Sequence, residues 1–481
     1  MSMVKLEKDV KIRYCADVVV VGGGVAGAAA AIAAGRQGKS VLLIEKSGCL
    51  GGLATNGHVS PFDATHSCSG KPFGGIAQEI LDEMADAQLK YGVAKNNTMK
   101  REGPHLLKWV LLKMAVDAGV RVLFHADLID VLMDGDKIQY LIIHTKSGIE
   151  GVEGKAYVDA TGDGDVFAGA GEQYIIGSEA DSGKILEQTG LNHIHFDDKS
   201  VQRYYDKTTV DRHSVQPVSV MFTLGNIAPD CNPYKYNNKN LTFEDLGIDK
   251  EEFKKLPYYG TVGFEDNGDL VPLPQGRFLI SSTGRPGEVL VNMSRVIGVD
   301  GTDAVELTEA SIIAQYQVMY IIDFLKRYIP EFRDAHLVES SNIIGVRETR
   351  RLIGQYVLSG LDAINCTQFD DNIGCGSYII DIHDPFGKCR ALGGQIKGDY
   401  YGIPYRSLVP KTVKNLLVCG RCISVDHIAH STTRIQGTCV ITGQAAGTAA
   451  ALSLEFGTSV QDLDVKALQS ELKAAGSNIG I

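Results

Sequence analysis

The residues best fitted for chemistry begin with a glycine cluster. Gly22-Gly23-Gly24-Val25-Ala26-Gly27 reads G-x-G-x-x-G, and Glu45 follows about 20 residues on. Gly22 permits a tight turn, Gly24 lets a pyrophosphate approach the backbone, and Gly27 lets a helix pack closely on a strand. A helix N-terminus at this point offers unpaired N–H groups and a positive dipole to phosphate oxygens. Glu45, with Lys46 beside it, can accept hydrogen bonds from ribose hydroxyls. The pattern predicts a dinucleotide site, and NAD and FAD both satisfy it so far. A glycine-rich turn serving only the backbone would leave the acidic residue unexplained.

A second set could move protons or hold anions. Asp381-Ile382-His383 puts Asp381 and His383 on one side of an extended segment. His427 and His430, in a stretch read as a loop, precede Arg434; His58 lies near the N-terminal glycines. Imidazole titrates near working pH, so each histidine is a candidate acid or base. Each is also a residue type that serves as a hydrogen-bonded structural group. Arg347, Arg350 and Arg351 fall in one stretch read as helical, with Arg347 and Arg351 on a shared face. They could grip an anionic substrate or a pyrophosphate, or pair with Glu348. Cys419-Gly-Arg-Cys422 has a redox spacing, yet Cys419 ends a predicted strand instead of opening a helix, which disfavours thiol chemistry. No two CxxC pairs sit at zinc-ribbon spacing, so no metal is expected.

These residues need elements to hold them. Asp17–Val21 is a β-branched run that predicts a buried parallel strand; Ala28–Gln37 predicts a helix closed by Gly38. Ser40–Ile44 predicts a second strand ending at Glu45. Between 121 and 149, short strands separated by Asp134-Gly-Asp136 and Ser147-Gly148 predict a β-meander. Lys155–Asp165 reads as a strand ending in Ala160-Thr161-Gly162, then an acidic turn. Asn415–Ser424 reads as a strand ending at Gly420-Arg421, and an alanine-rich helix is read as opening near Gly443.

With 481 residues, 44% hydrophobic and 22% charged, the chain has the make-up of a folded protein of two or three domains. The 54 glycines exceed the usual ~7% and fall in clusters, as tight turns require. A net charge of −11 gives no long-range attraction for nucleic acid or an anionic membrane. Neither an uninterrupted secretory apolar region nor an 18-residue apolar span occurs, and the ten cysteines are scattered. A cytoplasmic protein with reduced thiols is expected.

Several passages resemble known flavoproteins. Gly51-Gly52, just beyond the ribose acid, resembles the second glycine pair of the glutathione-reductase-type FAD fold, which would bring Thr55, Asn56 and His58 near the isoalloxazine. In that fold Ala160-Thr161-Gly162-Asp163 would match the A-T-G element of the returning chain. A late helix carrying Gly443, Ala445 and Ala446 would point its N-terminus at the flavin. Gly51–Thr55, Gly345–Gly354, Ile403–Pro410, Gly420–Ser424 and Gly443–Gly447 together resemble the FAD-dependent oxidoreductase family across most of the chain. The resemblance implies FAD, flavin redox chemistry and a role for Gly420 and Arg421 at the cofactor. It leaves the substrate open.

The expectation is an α/β protein. A Rossmann-like FAD-binding domain, with a parallel sheet and an inserted β-meander, would span residues 1–171 and 400–481. An inserted α+β substrate domain would span 172–399. The function expected is hydride transfer between a small organic substrate and flavin N5, leaning to alcohol or sugar-type oxidation because histidines outnumber anion clamps. Reduction of an activated double bond and a non-catalytic electron relay are the alternatives. The partners would be a small-molecule substrate and an electron acceptor or donor, and an oligomer is open.

Overall fold

The computed structural model describes residues 7–59, 62–92, 104–179, 181–189, 211–228, 278–283, 285–386 and 391–481, with scattered residues between 243 and 275. Strand β1 (Lys11–Val21) leads through the glycine turn into helix α1 (Val25–Arg36), and β2 (Val41–Glu45) returns beside β1. Val18–Val20 are wholly buried, which is what a strand covered on both faces demands of its side chains. Helices α2 (Gly75–Tyr91) and α3 (Pro104–Asp117) follow, then β3 (Arg121–Phe124). A meander of β4 (Asp127–Asp134), β5 (Lys137–Thr145) and β6 (Gly148–Asp159) comes next.

These strands form one sheet in the order β3-β2-β1-β6-β5-β4. Strand β1 pairs in parallel with β2 and with β6, whereas β4, β5 and β6 are antiparallel. The sheet is therefore a parallel, Rossmann-like layer carrying an antiparallel meander. Strand β6 exchanges partners along its length: Gly148–Glu153 pairs with β5, and Tyr157–Asp159 pairs in parallel with Leu416–Val418. That late strand returns the chain to the nucleotide sheet after more than half its length.

A second layer has its own core. Strands β7 (Phe222–Gly225), β8 (Ile280–Ser282) and β9 (Val289–Val291) form an antiparallel sheet with β10 (His336–Ser340), in the order β8-β9-β7-β10. Helix α5 (Ala304–Tyr328) covers it; α4 (Asp165–Gly169) lies earlier, after β6. Asp303 caps α5 by accepting the Val305 and Glu306 N–H groups. Ala314, Val318, Ile321 and Leu325, spaced four, three and four apart, give α5 one buried face. Residues between Leu352 and Ile396 pack instead into the first core, with β11 (Ile380–His383) paired to β12 (Ala391–Gly394).

After β13 (Leu416–Val418) come two helices, α6 (His427–Thr433) and α7 (Gln436–Phe456). The alanine-rich helix thus opens well before Gly443, the start expected from the sequence. Its glycines are packing sites. A Cβ on Gly443 would stand 2.1 Å from the Ala26 carbonyl oxygen, and one on Gly447 2.0 Å from that of Ala30. Small residues on both helices let α7 lie directly on α1. No described helix is long and apolar enough to cross a membrane.

Candidate active site

The turn between β1 and α1 is shaped by its glycines. Gly22 has φ +97°, and a Cβ there would lie 2.4 Å from the Ala160 carbonyl oxygen. Gly27 packs so closely that its Cβ would meet the Gly22 carbonyl oxygen at 1.8 Å. Gly24 is different: a Cβ on it would meet nothing within 4 Å, because it faces an open cavity. It is also the N-cap of α1, which no side chain caps. Glu45 is held by two backbone donors, Gly23 N–H at 2.6 Å and Ser47 N–H at 2.7 Å. The Gly51-Gly52 loop is drawn against the turn by a bridge from Gly51 to Gly24, and both glycines have positive φ.

The cavity encloses about 1360 Å³. That exceeds the ~300–1000 Å³ of ordinary ligand clefts, so it has room for a dinucleotide and a second molecule. Gly22, Gly24, Val25, Ala26, Glu45, Lys46, Gly51 and Gly52 line it. Ala160, Thr161, Gly162, Asp163, Gly420 and Arg421 line it too. Arg421 donates to Asp163 at 2.7 Å, tying the two returning segments together. The N-terminus of α7 also reaches the cavity through Ile435 and Gln436, and its cap position, Ile435, has no side-chain acceptor. A glycine turn open to the cavity at Gly24, a carboxylate held by two backbone donors and two helix N-termini without side-chain caps fit a bound FAD.

The cavity is also lined by His383, Asp381, Arg347 and Arg434. His383 and Asp381, two apart on β11, have Nε2 and Oδ2 3.5 Å apart. Arg434 Nη2 donates to the same Asp381 Oδ2 at 3.3 Å and to the Asp381 carbonyl at 3.1 Å. Arg347 donates to the Pro217 carbonyl. Burial, and after it the Arg347 charge, holds His383 well below the usual imidazole pKa, against the opposing pull of Asp381. Behind the wall, Arg295 Nη1 reaches His383 Nδ1 at 3.5 Å and Gln275 at 3.3 Å, while its Nη2 donates to the Asp384 carbonyl at 2.7 Å. The stretch holding Arg347, Arg350 and Arg351 is not a helix: Arg351 and Leu352 form a short strand against Tyr174 and Ile175.

Other expected residues lie off the cavity wall. Thr55 is fully buried and donates to the Leu50 carbonyl. Gly27, Gly443, Ala445 and Ala446 are buried in the packing around α1 and α7. His58 has φ +56° and turns to Glu339, 3.8 Å away, with His105 Nε2 3.4 Å from the same carboxylate oxygen. His427 and His430 sit in a short helix, not a loop, and both are fully buried. His427 Nδ1 is 2.8 Å from Glu348, whose other oxygen accepts the Gln216 N–H. Burial alone would raise the Glu348 pKa; His427 and Arg351 outweigh it and hold the carboxyl well below the usual range. Gln216 also links His430 Nδ1 to the His383 N–H.

Cys419 and Cys422 are unpaired and fully buried, and burial pushes both thiols well up. No group of three metal-ligating side chains occurs among the described residues. Sequence reasoning passed over Arg295 and Gln216. A lone arginine after a short strand and a lone glutamine before one carry no local signal; only the fold sets them beside His383.

Comparison with known proteins bears on this geometry. A 128-residue stretch is 31% identical to thiamine thiazole synthase of Aeropyrum pernix, covering 27% of this chain and 43% of the synthase. Among solved structures, the flavin-dependent brominase Bmp2 aligns at 14% identity and a TM-score of 0.41, over 96% of this chain and 83% of the brominase. A geranylgeranyl bacteriochlorophyll reductase-like protein from Thermoplasma acidophilum aligns at 13% identity and a TM-score of 0.38, over 97% and 92% of the two chains. The family match is the broader finding, for it runs over residues 17–472. The chain therefore belongs to the FAD dependent oxidoreductase family, an enzyme whose cofactor is FAD.

Proposed function

We propose that this enzyme oxidises a small organic donor, an alcohol or sugar-type hydroxyl compound, in the cavity between the nucleotide cradle and β11. One observation carries the reading: a single cavity is lined by Gly24 and Glu45 and also by Asp381, His383 and Arg434. Bound FAD supplies the centre that accepts a hydride. The chain's part is to hold the donor and take up its proton. Asp381 is faced by donors, His383 Nε2 and Arg434 Nη2, which favours the carboxylate and so a proton acceptor at rest. Arg347 and Arg434 on the same wall can orient an oxygen-bearing substrate.

The reading assigns the nucleotide to residues 1–171 and 400–481 and the substrate to 172–399; the separate core around β7–β10 and α5 supports it for residues 220–335, whereas Leu352–Ile396 pack into the nucleotide core. We place the enzyme in the cytoplasm, with a second small molecule as electron acceptor, on its acidic charge and scattered thiols. The test is anaerobic titration of the purified flavoprotein with sugars, hydroxy acids, amino acids and NAD(P)H, followed by absorbance. Bleaching by a hydroxyl donor supports the proposal. Bleaching by NAD(P)H alone overturns it in favour of a reductase of an activated double bond.

A further inference from the structure

From the contacts around β11 we infer that Asp381 is the proton acceptor of this site, and that Arg295 and His383 are positioning residues that keep it so. The inference rests on the proposed oxidation for its chemistry, but its structural half stands alone. A guanidinium has only N–H donors, so the ring nitrogen that Arg295 Nη1 faces at 3.5 Å, His383 Nδ1, must be the acceptor. The other ring nitrogen, Nε2, faces a carboxylate at 3.5 Å, which only accepts. Both neighbours thus select one tautomer, a neutral imidazole with its single proton on Nε2, directed at Asp381.

A second proton has no place on this ring. It would sit on Nδ1 against the Arg295 guanidinium, inside a fully buried group. The charged groups around the ring are Arg295, Arg347, Arg434 and the Asp381 carboxylate. Three of these are cations, and the low imidazole pKa follows from burial and then from Arg347. His383 therefore cannot take up the substrate proton; it donates to the group that does. The proton leaves a substrate O–H and converts the Asp381 carboxylate to the carboxylic acid, which returns the proton to water once the carbonyl product has left.

Arg295 belongs to the other layer of the molecule, which makes it a strut between layers. Gln317 of α5 fixes its backbone twice, accepting the Arg295 N–H at 2.6 Å and donating to its carbonyl at 2.8 Å. The side chain then crosses to β11 and grips the Asp384 carbonyl. The second core so sets the tautomer of a histidine carried by the first.

Nitrogen-15 NMR of the histidine-labelled holoenzyme, with His383 assigned by its loss in His383→Gln, reads the structural half without any substrate. We expect an Nε2–H tautomer that protonates only well below the ordinary imidazole range, and in Arg295→Met a protonation midpoint that moves upward. An Nδ1–H tautomer, or an ordinary titration in the wild-type protein, overturns the inference even if Arg295→Met does not fold. The catalytic half compares flavin reduction rates. Asp381→Asn should lose at least about 100-fold, while His383→Gln, which keeps a neutral donor, should stay within about 10-fold and His383→Ala should fall further. Equal losses in Asp381→Asn and His383→Gln would make His383 the base. Absence of any hydroxyl donor would sink the proposed oxidation and leave the NMR result standing.

Discussion

At the scale of single residues, Gly24 and Glu348 show how differently two positions act. Gly24 has φ −61°, a conformation open to any residue, and space beyond its Cα. Its glycine therefore serves the ligand and not the fold. Gly24→Val should leave the melting temperature of the apoprotein unchanged and weaken FAD binding at least about 10-fold, about 1.4 kcal/mol, as measured by fluorescence titration. Glu348 does not itself line the cavity and serves the fold. Its carboxylate lies 2.8 Å from His427 Nδ1 and 3.6 Å from Arg351 Nε, all three residues being fully buried. Because its folded pKa is depressed, the stabilisation is full above the unfolded value of about 4.3 and fades as pH falls below it. Glu348→Gln should cost about 3 kcal/mol near neutral pH and flatten the acid limb of stability between about pH 5 and pH 2, read by denaturant melts across pH.

Helix α7 carries the argument at the scale of elements. Gln436 to Ser453 is mostly small and almost wholly buried, so the helix has no polar face. Its alanine run was legible from Gly443 onward, but its first two turns were not. Ile435-Gln436-Gly437-Thr438-Cys439 lacks a side-chain cap and contains a glycine and a β-branched residue, none of which marks a helix start locally. Contact with Asp63 and Ala64, whose carbonyl oxygens would lie 2.5 and 2.6 Å from a Cβ on Gly437, imposes it instead. Gly447→Leu should therefore destabilise the protein by about 3 kcal/mol through overpacking, seen as a lower melting temperature. FAD binding per folded molecule should survive, since Gly447 is one turn beyond Gly443 and away from the cradle. The arginine stretch was misread for a similar reason. Its spacing of four suits a helix face, but strand pairing of Arg351 with Ile175 keeps it extended.

For the whole molecule, the deciding feature is a cavity shared by two hydrophobic cores. Helix α5 buries Ala314 and Val318 in the second core and presents Leu307, Ser311 and Ile312 to the cavity. A ligand that touches both layers stabilises both at once. FAD at 100 times its Kd should raise global stability by about 2.7 kcal/mol, provided it binds only the folded chain. The check is calorimetry of the apoprotein with and without added FAD. A cofactor held by the first layer alone would instead separate the thermal transition into a stabilised and an unmoved part.

What the sequence determined by itself is the nucleotide half. The strand, the glycine turn, the helix and Glu45 are contiguous, so their geometry follows from local rules of turn and helix formation. The returning segments Ala160–Asp163 and Gly420–Arg421 were legible through resemblance, and they meet on the cavity wall. The catalytic half had no such locality. His58, His383, His427 and His430 are alike as letters, and each could have faced a substrate. Only tertiary structure separates them. It turns His58 to Glu339, buries His427 on Glu348, and leaves His383 on the wall between an arginine 88 residues before it and a carboxylate two residues before it. Side-chain chemistry names the candidates, but the protonation state of a buried group is fixed by its neighbours, and those neighbours come from distant parts of the chain.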